Sequence, residues 1–363
     1  MKQVGTEAYP LEREAYTGTE GSEAAGPLHR GLRYIAEHYI PWAERTAWET
    51  SLGEQSITDE DPMTHFAQLR DFAAAILPVG LLEALASFHE TCGLTALVVR
   101  NCPVDKDIPP TPYSGYLPSA AMPVACQVNL ALHGLMGLNP IVYKGENKGF
   151  LFRHVVPAKA AAREESSHGS LKRLGYHVDN TDLPLSSEPL AHASACPEYL
   201  SLYGVRCDTR VATTLAPVDE VVTHCSPALL EALQKPEYGI KRPDSFGAGK
   251  AQTLNLPMLS RGLSGEWFCR FDETNAFGLN TAAEEALSEL KGILRRPRQE
   301  LSLLLLPGDF LIFKNQRALH ARAAFHPRMD GADRWLIRLY GMADKGRTLI
   351  ADADGNRDFE VLA

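Results

Sequence analysis

The sequence predicts a mainly β protein, a sandwich or barrel core with flanking helices. Three observations carry this reading. Short runs rich in β-branched and aromatic residues recur between residues 95 and 340. Clusters of Gly, Pro, Asn, Asp and Ser separate them, as turns require. Segments with helical periodicity flank these runs, among them Pro62–Glu90 and the stretch from Thr281.

Residues 1–26 are polar and acidic and read as a loose tail, with no apolar stretch of the kind a signal peptide carries. Residues 29–50 read as a helix interrupted at Pro41. Pro62–Glu90 reads as two amphipathic helices. Phe66, Leu69, Ala73 and Ile76 line one face of the first, Pro78-Val79-Gly80 breaks it, and Leu82, Leu85 and Phe88 line the second. The segments 27–94 are therefore expected to pack as a helical layer on the core.

Thr95–Arg100 is a short β-branched strand, Ala121–Leu138 a buried helix and Gly149–Val156 a strand. Glu198–Arg206 and Val211–Ala216 follow as strands, Pro227–Gln234 as a short helix, and Lys241–Lys250 as a Gly-containing loop. After the strand Trp267–Asp272, Thr281-x-x-Glu284 has the form of a capping box, with Ala283, Leu287, Leu290 and Leu294 on one helix face. Leu301–Phe313 gives two strands around Pro307-Gly308-Asp309, and Arg334–Tyr340 is the last strong strand. Residues 346–363 read as a C-terminal tail.

Bulk composition excludes several classes. At 45% hydrophobic and 22% charged, the chain of 363 residues is neither a disordered segment nor a fibre. A net charge of -9 argues against a general nucleic-acid partner. No window approaches the ~18 apolar residues of a membrane span. Seven cysteines with no CxxC pair fit reduced thiols in a cytoplasmic protein better than disulfides or zinc.

The stretch Gly175-Tyr176-His177-Val178-Asp179-Asn180 is the chemical focus. On an extended strand His177 and Asp179 project to one face, where both can ligate one metal ion. Alone, His-x-Asp is a weak signal. Its weight comes from Leu306–Arg322, a run of strand formers that delivers His320 just past a loop. His177, Asp179 and His320 would together form the two-His-one-carboxylate face of a non-haem Fe(II) oxygenase.

The run PGDFLIFKNQRALHARAAF, the motif DRWLIR and the strand PEYLSLYGVR carry a family resemblance across residues 95–342. The sequence resembles the clavaminate synthase-like branch of the Fe(II)/2-oxoglutarate dioxygenases, which includes oxygenases of free arginine, asparagine and lysine. The resemblance implies a double-stranded β-helix, or jelly roll, over 95–345, with the metal in its mouth and the loop near 240–280 as a lid. It implies Fe(II), 2-oxoglutarate and O2 as cofactor and cosubstrates, and a free amino acid as the small-molecule partner. His177, Asp179 and His320 resemble the iron ligands. Arg334, fourteen residues after His320, resembles the group that grips the distal carboxylate of 2-oxoglutarate. Thr214 would add a hydroxyl there. Arg338 and Ser167 resemble contacts to the substrate α-carboxylate, Glu146 a group for its α-ammonium, and Asp272 one for its side chain.

There is one departure. The better-known amino-acid members of the family use His-x-Glu, and this chain has His-x-Asp. The shorter carboxylate still binds iron, and its presence argues against a halogenase, which replaces it with a small residue. The reaction expected is hydroxylation of an unactivated Cβ–H or Cγ–H. Desaturation or cyclisation on the same cofactor set is the alternative outcome, and a non-catalytic cupin-like metal protein the alternative class. The plainer readings of single residues are a surface His177–Asp179 pair, a core His320, edge-strand charges at Arg334 and Arg338, and a loop-capping Asp272.

Overall fold

The computed structural model describes residues 33–363 apart from 53–55, 144–145, 160, 164–167, 190–193, 243–251, 297–301, 345–346, 348–349, 352–356 and 359–363. The tail at 1–26 lies outside the described residues, as do most of the Lys241–Lys250 loop and part of the C-terminal tail.

The first half of the chain runs β1 (Ile35–Tyr39), α1 (Trp42–Leu52), α2 (Phe66–Ile76), α3 (Val79–Ser87), β2 (Ala96–Arg100), α4 (Pro123–Leu135), β3 (Asn139–Ile141), β4 (Arg153–Val155), β5 (Leu174–His177) and β6 (Tyr199–Arg206). Next come β7 (Thr213–Pro217), α5 (Val218–Val222), α6 (Pro227–Leu233), β8 (Tyr238–Lys241), β9 (Gln252–Leu256), β10 (Leu259–Arg261), β11 (Trp267–Cys269) and β12 (Ala276–Gly278). The last elements used below are α7 (Thr281–Leu294), β13 (Ser302–Leu303), β14 (Phe310–Lys314), β15 (Ala318–Arg322) and β16 (Trp335–Met342).

Two sheets matter most. A seven-stranded sheet has the order β1-β2-β14-β6-β16-β3, with β4 also paired to β16. A four-stranded sheet has the order β13-β7-β15-β5. The larger sheet sorts its side chains by strict alternation. On β14, Leu311 and Phe313 face the smaller sheet, while Phe310 and Ile312 face the helices. On β16, Leu336 and Tyr340 face inward and Trp335, Ile337 and Leu339 face the helices. One apolar cluster therefore lies between the sheets and a second lies between the large sheet and α1 to α4. Chains of mostly β character with several helices, as read from the sequence, build this arrangement because both faces of the large sheet are covered.

The N-terminal layer differs from its sequence reading in one element. Ile35–Tyr39 is not helical; it is an edge strand paired in parallel with β2. Its partner lies about sixty residues on, so local propensity does not reveal it. The helix break at Pro78 does occur, between α2 and α3. The cap of α7 sits one residue earlier than the capping box suggested. Asn280 accepts from the Ala283 amide, and Glu284 reaches back to the Gly278 amide.

The turn before β14 needs glycine. Gly308 has φ +82°, and a Cβ there would lie 2.5 Å from the Cys102 carbonyl oxygen. This tight approach lies where β14 runs alongside the end of β2. All seven cysteines are free thiols. Among the described residues, no helix is long and apolar enough to cross a membrane.

Phe313 is fully buried between the sheets, with its ring centroid 5.1 Å from that of His320. Phe313→Ala is expected to destabilise the protein by about 3–5 kcal/mol in urea unfolding. A loss under ~1 kcal/mol would show that this layer is not close-packed.

Candidate metal and cosubstrate site

The register of one antiparallel pair builds the centre. His177 ends β5, His320 lies in β15, and the two are direct cross-strand partners. Opposed residues on a ladder share a face and sit a few ångströms apart; here the two imidazole centroids are 4.0 Å apart. Two residues on from His177, Asp179 reaches the same point. The backbone then turns sharply, with Asn180 in the left-handed region at φ +58°. Asn315 fixes this corner: its Oδ1 accepts from the Asp179 amide at 3.0 Å, and its Nδ2 donates to the Asp179 carbonyl at 3.1 Å.

One donor atom from each of His177, Asp179 and His320 lies within 4.8 Å of the others. Asp179 Oδ1 is 3.2 Å from His177 Nε2 and 3.6 Å from His320 Nε2. His177 Nδ1 lies 2.9 Å from the Gly175 carbonyl oxygen, so the proton belongs there and Nε2 keeps its lone pair for a ligand. Two imidazole nitrogens and a carboxylate oxygen, buried and converging, form a donor set that fits Fe(II).

β16 crosses this centre from the opposite sheet. Arg334 precedes the strand; Arg338 and Tyr340 share its inward face with Leu336. A cavity is lined by His177, Asp179, His320, Arg322, Arg334 and Arg338, with Val155, Leu174, Leu200, Leu202 and Leu336 as apolar walls and Thr213 at its edge. Arg334 is buried, and its one hydrogen bond to a side chain among the described residues goes to Thr213 Oγ1, at 3.2 Å. Burial pushes its guanidinium down to about 10. A buried cation without a carboxylate partner is costly, and a bound dianion would supply the missing charge.

Thr214 does not reach this cavity. Alternation turns it to the other face of β7, where its hydroxyl lies 3.1 Å from Ser302 Oγ. The sequence reading placed the hydroxyl one residue late; Thr213 is the inward residue. Ser167 lies outside the described residues. Asp272 is buried beside the centre, bridged through its backbone to His177, but its carboxylate is consumed by its own turn. Oδ1 accepts from the Thr274 and Asn275 amides and Oδ2 from Asn275 Nδ2. These hydrogen bonds match the loop-capping reading of Asp272.

Arg338 and Glu146 are both buried at the centre and are ion-paired to each other, with Arg338 Nη2 2.5 Å from Glu146 Oε1. Arg338 Nη1 is 2.7 Å from Asp179 Oδ2. Glu146 also accepts from Arg153 at 3.2 Å and from Asn180 at 3.1 Å. Burial alone would raise the Asp179 carboxyl, but Arg338 and then the two imidazoles hold it well below the usual carboxylate range. Burial and the neighbouring His177 push His320 down to about 3. His177 moves the opposite way: burial lowers it, and the hydrogen bond and charge of Asp179 raise it further than that. Two residues escaped the sequence reading, Thr213 and Tyr340. The period-2 pattern of their strands was the available signal for both.

Residues 212–340 match the family described as "Taurine catabolism dioxygenase TauD, TfdA family". The chain is 29% identical over 290 residues to L-lysine 3-hydroxylase of Catenulispora acidiphila, covering 78% of this chain and 77% of that protein. It is 28% identical over 340 residues to L-asparagine oxygenase of Streptomyces coelicolor, covering 92% and 96%. The crystal structure of asparagine oxygenase with Fe(II), 3-hydroxyasparagine and succinate superposes with a TM-score of 0.76 at 26% identity, covering 91% of this chain and 99% of that one.

The buried histidines set a pH dependence. Burial pushes His133, His154 and His168 down to about 4 and His320 to about 3, against 6.5 for an ordinary histidine. Between these values the unfolded chain binds protons that the native chain refuses, so stability falls as pH falls. His177, raised, has the opposite sign, but its effect falls above pH 6.5, outside this range. Urea midpoints of the chelated protein are expected to decline steadily from about pH 6.5 toward pH 4.5. A flat profile over that range would contradict these assignments.

Proposed function

We propose that this chain, a clavaminate synthase-like Fe(II)/2-oxoglutarate-dependent oxygenase of the TauD/TfdA kind, hydroxylates an unactivated Cβ–H or Cγ–H of a free L-amino acid or close derivative. The carrying observation is the convergence of His177, Asp179 and His320 in one cavity with Arg334, a buried cation lacking an anionic partner among the described residues. The two facing sheets are read as the halves of a double-stranded β-helix, with the metal at the open end between them.

His177, Asp179 and His320 would hold the iron. Arg334 and Thr213 would hold the distal carboxylate of 2-oxoglutarate, the guanidinium by charge and the hydroxyl by a further hydrogen bond. Iron, 2-oxoglutarate and O2 supply the oxidising chemistry, in which one oxygen atom leaves in succinate, with CO2 released, and the other enters a substrate C–H bond. Leu174, Leu200, Leu202 and Leu336 keep the cavity apolar, which excludes water from the reacting atoms.

The substrate reading rests on Glu146 and Arg338. An α-amino acid carries a carboxylate and an ammonium two bonds apart, and these two side chains present opposite charges side by side. Arg338 would take the carboxylate and Glu146 the ammonium. The relatives named for lysine and asparagine support a free amino acid as the class.

Two results test this. Purified protein with Fe(II), ascorbate and 2-oxoglutarate should release succinate with at least one member of a broad amino-acid panel and give a product heavier by one oxygen. A product lighter by two hydrogens would indicate desaturation or ring closure, and no stimulated turnover with any amino acid would refute the reading. In the cosubstrate pocket, Arg334→Gln should weaken 2-oxoglutarate binding about 10- to 100-fold, the cost of a charge-assisted hydrogen-bond pair. Thr213→Val should weaken it several-fold and Thr214→Val hardly at all; equal effects of the two threonine variants would remove Thr213 from the site.

A further inference from the structure

The two oxygens of Asp179 have different surroundings. Oδ1 faces the Nε2 atoms of both histidines. Oδ2 points away and accepts two hydrogen bonds, each 2.7 Å, from Arg338 Nη1 and Tyr340 Oη. Both donors come from the inward face of β16, two residues apart, so they reach the carboxylate from the sheet opposite the histidines. Arg338 Cζ lies 4.1 Å from the Tyr340 ring centroid, and the pair is buried.

The tyrosine hydroxyl has one proton to give. It is 2.7 Å from Asp179 Oδ2 and 3.2 Å from Glu146 Oε1, so the shorter contact takes it. Arg338 divides its donors differently, one terminal nitrogen on Asp179 and the other on Glu146. If an amino-acid carboxylate draws on Arg338, Tyr340 is the donor that stays with Asp179.

We propose that Tyr340 is a positioning residue for the metal: with Arg338 it holds Asp179 Oδ2 turned away, so that the aspartate offers the metal Oδ1 alone. The proposal rests on the metal reading above. It makes the length of the carboxylate matter, because one more methylene would drive its oxygens into Arg338 and Tyr340. Partners of a metal-bound carboxylate that lie one bond further out typically contribute 10- to 100-fold in metal affinity.

The test is an anaerobic calorimetric titration of the full chain with Co(II) as the probe. Tyr340→Phe should bind Co(II) about 10-fold more weakly than the wild type, or worse. Tyr143→Phe is the control. Its hydroxyl donates to the Ala195 carbonyl at 2.6 Å and its ring packs 5.8 Å from Tyr340, so it loses a buried hydrogen bond nearby without touching Asp179. It should bind Co(II) as the wild type does. Unchanged affinity in Tyr340→Phe, or equal weakening in both variants, would overturn the proposal. Asp179→Glu gives a reading even if Tyr340→Phe fails to fold: it should also lose about 10-fold or more, and wild-type affinity there would overturn the proposal. A wild-type chain that takes no Co(II) would bring down the metal reading and this inference together. A wild type that binds while Tyr340→Phe matches it removes only the inference.

Discussion

The pairing of β5 with β15 is the constraint on which the site depends. His177 and His320 are opposed residues of one antiparallel ladder, so a single register places two imidazoles together. A slip of one residue would turn one imidazole to the outer face of the sheet and dissolve the site. The register is locked from several directions. β7 pairs the far side of β15. Asn315, just ahead of β15, hydrogen-bonds the backbone of Asp179 on both sides, and Gln316 bonds the Cys196 carbonyl at 2.9 Å. His177 and His320 are thus held by backbone pairing, and Asp179, in the turn after β5, by the buried amide of Asn315.

The second sheet supplies charge. β16 brings Arg334, Arg338 and Tyr340 up to a carboxylate that belongs to the other sheet. Buried charges survive only when paired or hydrogen-bonded. Arg338 is paired twice, with Asp179 and Glu146, whereas Arg334 leans on one threonine hydroxyl. Arg338 is neutralised by two carboxylates, whereas Arg334 has no carboxylate partner among the described residues.

Much of this was legible in the sequence, and for identifiable reasons. Strong local signals were read correctly: the helix break at Pro78, the glycine turn before β14 and the β-branched strand β2. The convergence of His177, Asp179 and His320 was expected from i, i+2 spacing and the strand run that delivers His320, although Asp179 itself lies in the turn after β5. What escaped depended on distant partners. β1 exists because β2 accepts it as a parallel edge neighbour. Thr213 and Thr214 are adjacent and chemically alike, so only the pleat decides which one faces Arg334. Tyr340 was within reach, since it shares a strand face with Arg338, but a tyrosine in an apolar run reads as core. Asp272 follows the plainer of its two sequence readings: its turn, closed by Asn275, gives the carboxylate local donors.

Asp179 Oδ2 is already held by two donors from β16, Arg338 and Tyr340. Metal stoichiometry by equilibrium dialysis of the wild-type chain and of His320→Ala against Fe(II) under anaerobic conditions is the most direct check. One tightly held ion per wild-type chain is expected, and loss of that ion in the variant, with the variant still folded by circular dichroism. Equal iron retention by both would contradict the assignment of His177, Asp179 and His320 as the metal centre.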